Sequence, residues 1–193
     1  MSSVILSGDS SGTITLDAPA VAGSNIITFP AATGTVELLN RATAVTASGT
    51  SVDFTGIPSW AKRITVMMNG VSTNGTSNYL IQLGDAGGVE TTGYVSYSAI
   101  MGTSSVSAGA NYTAGLGLSV ALGAAFVSGQ VIISLLSGNV WTASGMLARS
   151  DSPIGVVAAG SKTLSDPLTQ VRITTVNGTD TFDAGSINVM WEG

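Results

Sequence analysis

Two look-alike stretches, Arg63-Ile-Thr-Val-Met-Met-Asn-Gly70 and Ser186-Ile-Asn-Val-Met-Trp-Glu-Gly193, constrain this chain more than any other feature. In each, apolar side chains recur at every second position: Ile64, Val66 and Met68 in the first, Ile187, Val189 and Trp191 in the second. Successive side chains of an extended strand point to opposite faces, so a period of two marks a strand with one face in a core. A strand that closes the sequence has to complete a sheet that earlier segments built. The two stretches are therefore expected to lie together in one sheet, as central strands.

Around them the chain is punctuated by turn signals. Asn69-Gly70, Asn74-Gly75 and Asn177-Gly178 supply residues that tolerate positive φ, which tight hairpin turns require. The spacing predicts a hairpin from 64–72 through Asn74-Gly75 into 77–83, and another from 171–176 through Asn177-Gly178 into 179–183. A third joins 131–136 to 140–148 across Ser137-Gly138-Asn139. Glycine-bounded pieces such as 93–101 continue the pattern, and no convincing helical period occurs. Short strands and regular turns imply an all-β fold, an antiparallel β-sandwich or jelly-roll knob, over residues 45–193.

Residues 1–44 read differently. Three short strand-like pieces, 13–16, 25–29 and 35–39, are separated by Pro and Gly turns. So few residues cannot enclose a core, because below about 40 residues a fold needs disulfides, metal or partner chains. The segment is expected to be an extended, strand-poor anchor or stalk that winds with copies of itself or docks onto another protein.

Composition narrows the partners. Charged residues make up 9% of the chain, against roughly 25% in an ordinary soluble domain. The surface must be coated with hydroxyls, amides and small residues, while 44% hydrophobic content excludes a disordered chain. Six basic residues and a net charge of -5 leave no electrostatic footprint for nucleic acid or an anionic membrane. No charged residue occurs between Glu90 and Arg149. Within that interval 114–136 is apolar, but Gly115, Gly117, Gly123, Ser128, Gly129 and Gln130 break it, so it reads as two strands and a turn and not as a membrane span. The amino terminus has neither the basic start nor the apolar run of a signal peptide.

Histidine and cysteine are both absent, which removes the commonest general base, the thiol nucleophile and the usual transition-metal ligands. Carboxylate chemistry of the glycosidase type would need two acids across a sugar bond. The nearest pairs, Asp85 with Glu90 and Asp180 with Asp183, lie among Gly and Thr, where Asp is a favoured turn residue. Gly84-Asp-Ala-Gly-Gly88 lacks the alternating oxygen ligands of a calcium loop. The glycosylation sequons at Asn74, Asn111 and Asn177 carry no weight, two of them being turn dipeptides already. No catalytic residue, cofactor or metal is expected, and the chain reads as a non-enzyme. Lys62-Arg63 is the one adjacent basic pair, either solvated or placed to meet an acid.

A sugar-binding surface would draw on aromatic faces with amides beside them. Trp141 and Trp191 sit in patterned strands and read as core. Tyr94 and Tyr97 have opposite parity along one strand, so at most one of them faces the core. Tyr94, Tyr97, Trp60, Asn78 and Asn111 are the candidate contacts to a glycan or host surface.

Two places carry a resemblance. Ser11-Gly-Thr-Ile-Thr-Leu16, Ala18-Pro-Ala-Val-Ala-Gly-Ser-Asn25 and Phe29-Pro-Ala-Ala-Thr-Gly-Thr-Val36 together resemble a segment near the start of tailed-bacteriophage fibre and virion proteins. Val171-Arg-Ile-Thr-Thr-Val-Asn-Gly-Thr-Asp-Thr-Phe-Asp-Ala-Gly-Ser-Ile-Asn-Val-Met190 resembles the closing strands of the same kind of protein, and 51–70 matches less tightly. The resemblance implies a homotrimeric, β-rich virion component made in the bacterial host cytoplasm. It would be held to other virion proteins by residues 1–44 and present a knob on the tail or capsid. Its expected function is that of a short tail or head fibre binding host-surface polysaccharide without covalent chemistry. A trimeric cement protein of the capsid is the alternative. A glycan-cleaving tailspike ranks third, for want of a repetitive β-helix domain and of a convincing acid pair.

Overall fold

The computed structural model describes residues 3–8, 10–17, 23–24, 26, 31, 33–34, 36–102, 109–120 and 125–193. Internal contacts divide the chain into two units, Met1–Val36 and Glu37–Gly193.

In the first unit β1 (Ser3–Ser7) and β2 (Thr13–Asp17) form an antiparallel hairpin with Val4 opposite Leu16 and Leu6 opposite Ile14. Gly12, at φ +80, lets the chain reverse. Val4, Ile5, Leu6, Ile14 and Leu16 are all more than half exposed, as expected of a segment too short to bury its own apolar side chains. The pattern had not marked β1 as a strand. Of the piece expected at 25–29 only Ile26 lies among the described residues, and of the piece at 35–39 only Leu39 is in a strand.

The second unit is an antiparallel β-sandwich. Its large sheet has nine strands: β3 (Leu39–Arg41), β4 (Val45–Thr46), β6 (Arg63–Thr73), β9 (Tyr94–Met101), β10 (Ala110–Tyr112), β12 (Val127–Ser137), β13 (Val140–Arg149), β14 (Gly155–Thr163) and β16 (Phe182–Glu192). They run in the order β10-β9-β14-β13-β12-β6-β16-β3, with β4 also on β16. The small sheet runs β11 (Leu116–Leu118), β7 (Tyr79–Asp85), β15 (Gln170–Thr175), β5 (Ser51–Thr55), with β8 (Gly88–Val89) on β7. Residues 39–41, placed by sequence within the amino-terminal segment, thus add a short strand to β16 of the large sheet, where β4 also pairs.

The two look-alike stretches are neighbours, as their pattern requires. β6 pairs antiparallel with β16, setting Ile64 opposite Trp191, Val66 opposite Val189 and Met68 opposite Ile187. Ile64, Val66 and Val189 are fully buried. They meet Val52, Phe54, Ile81, Leu83, Val171 and Ile173 of the small sheet in one continuous core. Each such side chain contributes roughly 1.5–3 kcal/mol on leaving water. Trp141 and Trp191 pack in or against this core, and the Nε1 of each has no hydrogen-bond partner among the described residues.

Two of the three expected hairpins are something else. The strands on either side of Asn74-Gly75, β6 and β7, belong to different sheets, as do β15 and β16 on either side of Asn177-Gly178. Because β6 pairs with β16 and β7 with β15, the two connections cross the end of the sandwich side by side. They are tied there: the Asp180 carboxylate accepts from the Ser77 N–H at 2.9 Å and the Asn177 side-chain amide at 2.6 Å, and Asn74 Oδ1 accepts from the Thr181 N–H. An Asn-Gly pair dictates a sharp reversal but leaves open whether the strand returns in the same sheet or the other one. Asn69-Gly70 is not a turn at all and sits in a bulge within β6. The hairpin across Gly138 does form, between β12 and β13.

Candidate functional site

Strand β9 decides between the two tyrosines by its pleat. Tyr94 points inward and is 2% exposed, while Tyr97 points outward and is 49% exposed. The Tyr94 hydroxyl accepts from the Leu83 N–H at 2.7 Å and donates to the Glu90 carbonyl at 2.9 Å, stitching the two sheets together. Burial pushes its phenol well above the ordinary value of 10.0, against the opposing hydrogen bond from Leu83. Tyr94 is therefore a core residue and not a surface contact.

The same core end gathers the first pair of acids considered for catalysis, Asp85 and Glu90. Asp85 Oδ1 accepts from the Gly87 N–H, closing a turn, and Oδ2 accepts from the Ser165 hydroxyl at 2.6 Å and the Asp166 N–H at 3.1 Å. Glu90 Oε1 accepts from the Ser165 N–H at 2.7 Å, and Oε2 forms an ion pair with Lys162. The Lys162 ammonium is buried and lies 5.3 Å from the centre of the Tyr94 ring. The Ser165 hydroxyl bond holds Asp85 below the ordinary carboxylate range, with the Gly87 N–H assisting. Burial raises Glu90, but Lys162 and Ser165 outweigh it and hold this carboxyl low too. Lys162 and Ser165 thus tie the two carboxylates into one clamp. The second pair is likewise engaged, Asp180 in the crossing turns and Asp183 as acceptor from the Ser72 hydroxyl.

Of the remaining candidates the structure brings two together. Tyr97 of β9 stands directly opposite Asn111 of β10, both exposed. A Cβ at Gly109 would lie 2.2 Å from the Tyr97 hydroxyl, so the missing side chain there makes room for the phenol. An aromatic face with an amide beside it is the pairing that a sugar ring uses. Asn78 is placed elsewhere, its Nδ2 donating to the Tyr112 hydroxyl at 2.8 Å. Trp60 is 37% exposed in the loop before β6, four strands from β9 and so roughly 19 Å away across the sheet.

Tyr97 belongs to a row that sequence reasoning missed. Across the outer face of the large sheet Tyr97, Ala159, Ser144, Ile132, Thr65 and Met190 stand opposite one another on successive strands. In the next row Val157, Met146, Gln130 and Met67 do the same. Met146 is 61% exposed and Ile132 36%. Neither row carries a charge between Tyr97 and Met190, and the Arg63 and Glu192 side chains beside them neutralise each other at 2.6 Å. The signal was present as the charge-free interval, but period two alone does not say which parity faces the core.

Tyr94→Phe is expected to destabilise the sandwich by about 1–3 kcal/mol, since it leaves the buried Leu83 N–H without an acceptor. Tyr97→Ala should stay within about 0.5 kcal/mol of the parent, as an exposed side chain. Urea unfolding of both variants checks the assignment, and equal losses would contradict it.

Comparison of the chain with protein-family models, curated proteins and solved structures returned no match.

Proposed function

We propose that the protein is a structural component of a tailed-phage virion, a fibre knob that assembles as a homotrimer and attaches to host-surface polysaccharide without covalent chemistry. Residues 1–44 would hold it to other virion proteins. The observation that carries this reading is the outer face of the large sheet. Strands spaced about 4.8 Å apart make this face roughly 30 Å wide and 25 Å high. That is the order of the ~800 Å² per partner that a stable interface covers. A solitary molecule would leave Met146 and Ile132 in water on a surface with almost no charge, whereas further copies of the chain cover it. The Tyr97–Asn111 pair lies at the border of this face, beside the edge strand β10, where a glycan has access.

Light scattering is expected to give a trimer mass for the full chain and a monomer mass for Met146→Lys and Ile132→Lys, each placing a charge on the covered face. A monomeric parent protein, or trimeric variants, would remove the basis for assembly through this face. In parallel, the full chain is expected to bind host bacteria saturably. Binding to virions stripped of the protein, with none to cells, would instead favour the capsid-cement alternative.

A further inference from the structure

Phe126 is 46% exposed immediately before β12 and lines an open cleft of about 640 Å³. Ser72, the Asn74–Thr76 connection and Asp183 also line it. None of these residues figured among the contacts expected from the sequence.

Their chemistry is selective. Asp183 accepts from the Ser72 hydroxyl through Oδ1, and its Oδ2 has no partner among the described residues. Asn74 is oriented by the bond from the Thr181 N–H to its Oδ1, which leaves the Nδ2 donor over. No lysine or arginine lines the cleft, so a phosphate or carboxylate ligand would meet an uncompensated anion. A flat apolar ring, one charged acceptor and one amide donor match a ligand with an apolar face and neutral hydroxyls. We infer that this cleft holds a neutral sugar unit, with the Phe126 ring against its apolar face and Asp183 Oδ2 and Asn74 Nδ2 on its hydroxyls. The inference rests on the reading of the knob as a polysaccharide-binding module and gives that module a second contact beyond Tyr97–Asn111.

The full chain and three variants would be tested on an array of bacterial capsular and O-antigen polysaccharides. Phe126→Leu keeps the apolar volume and removes the ring. Asp183→Asn keeps a carbonyl for Ser72 and replaces the free acceptor with a donor. Tyr97→Ala removes the other contact. The first two are each expected to weaken binding roughly tenfold with unchanged thermal midpoints. If the parent binds and both cleft variants bind equally well, the cleft assignment is overturned while the polysaccharide reading stands. If the parent binds nothing on the array, that underlying reading falls and the cleft with it.

Discussion

Gly185→Ala is expected to destabilise the sandwich by more than about 3 kcal/mol, and Gly70→Ala across the same bulge by only about 1 kcal/mol. Both glycines have left-handed backbones, φ +85 and +61, so each alanine pays the same conformational penalty. The space around them differs. A Cβ at Gly185 would lie 2.2 Å from the Gly70 carbonyl oxygen and 2.6 Å from the Val71 nitrogen, while at Gly70 nothing lies within 4 Å. The obstructing atoms are backbone and cannot rotate away. Ser72 pairs with Ala184 and Asn69 with Ser186, so β6 carries one residue more than β16 between them, and the close approach is how the bulge closes. Urea unfolding midpoints of the two variants give the comparison. Equal, small losses would mean that the bulge is not packed this way.

The second large effect is expected at Lys162. Lys162→Met should cost about 3 kcal/mol, because removing one partner of a buried pair strands the other charge. The lysine side chain is 6% exposed and that of Glu90 24%. Without the ammonium, Glu90 keeps the Ser165 N–H and a share of the Ser165 hydroxyl, whose one proton serves Glu90 or Asp85 at a time. Lys162→Met combined with Glu90→Gln should recover part of the loss, and a double-mutant cycle measures how much.

The pH dependence follows from the same clamp. Asp85 and Glu90 are held below their ordinary values of 3.8 and 4.5, so their contribution is complete above those values and lost as pH falls through the lower folded-state ones. In Lys162→Met the largest lowering influence on Glu90 is gone, so its folded-state value moves up toward the ordinary one while the Ser165 bonds remain. The stability lost on acidification should therefore be smaller in the variant than in the parent, and the difference between the two should narrow as pH falls. Unfolding midpoints recorded from pH 7 to pH 2.5 test this, and profiles that fall in parallel would show that Lys162 does not govern Glu90.

Much of the fold was legible in the chain because its signals are local. The alternation at Ile64, Val66 and Met68, and at Ile187, Val189 and Trp191, identified two strands of one sheet, and Ser137-Gly138-Asn139 marked a true hairpin. The functional surface was only half legible. Parity showed that Tyr94 and Tyr97 point to opposite sides, without saying which one is buried. Asn78 looked like a free amide until Tyr112, 34 positions away, took its Nδ2. Phe126 and Asp183, separated in the chain by the four strands β12 to β15, carried no shared motif.

The sequence by itself determined that this protein is an all-β sandwich with a charge-poor surface, because strand period, turn residues and composition act over a few neighbouring positions. The tertiary structure alone decided that β6 and β7 part into different sheets and that Asp85, Glu90, Lys162 and Ser165 close one clamp. It also decided that Tyr97, Ile132 and Met190 share one outer face. Those outcomes depend on which distant strands pair, and pairing between strands far apart in sequence is settled by how the two sheets bury one common core, which no local pattern encodes.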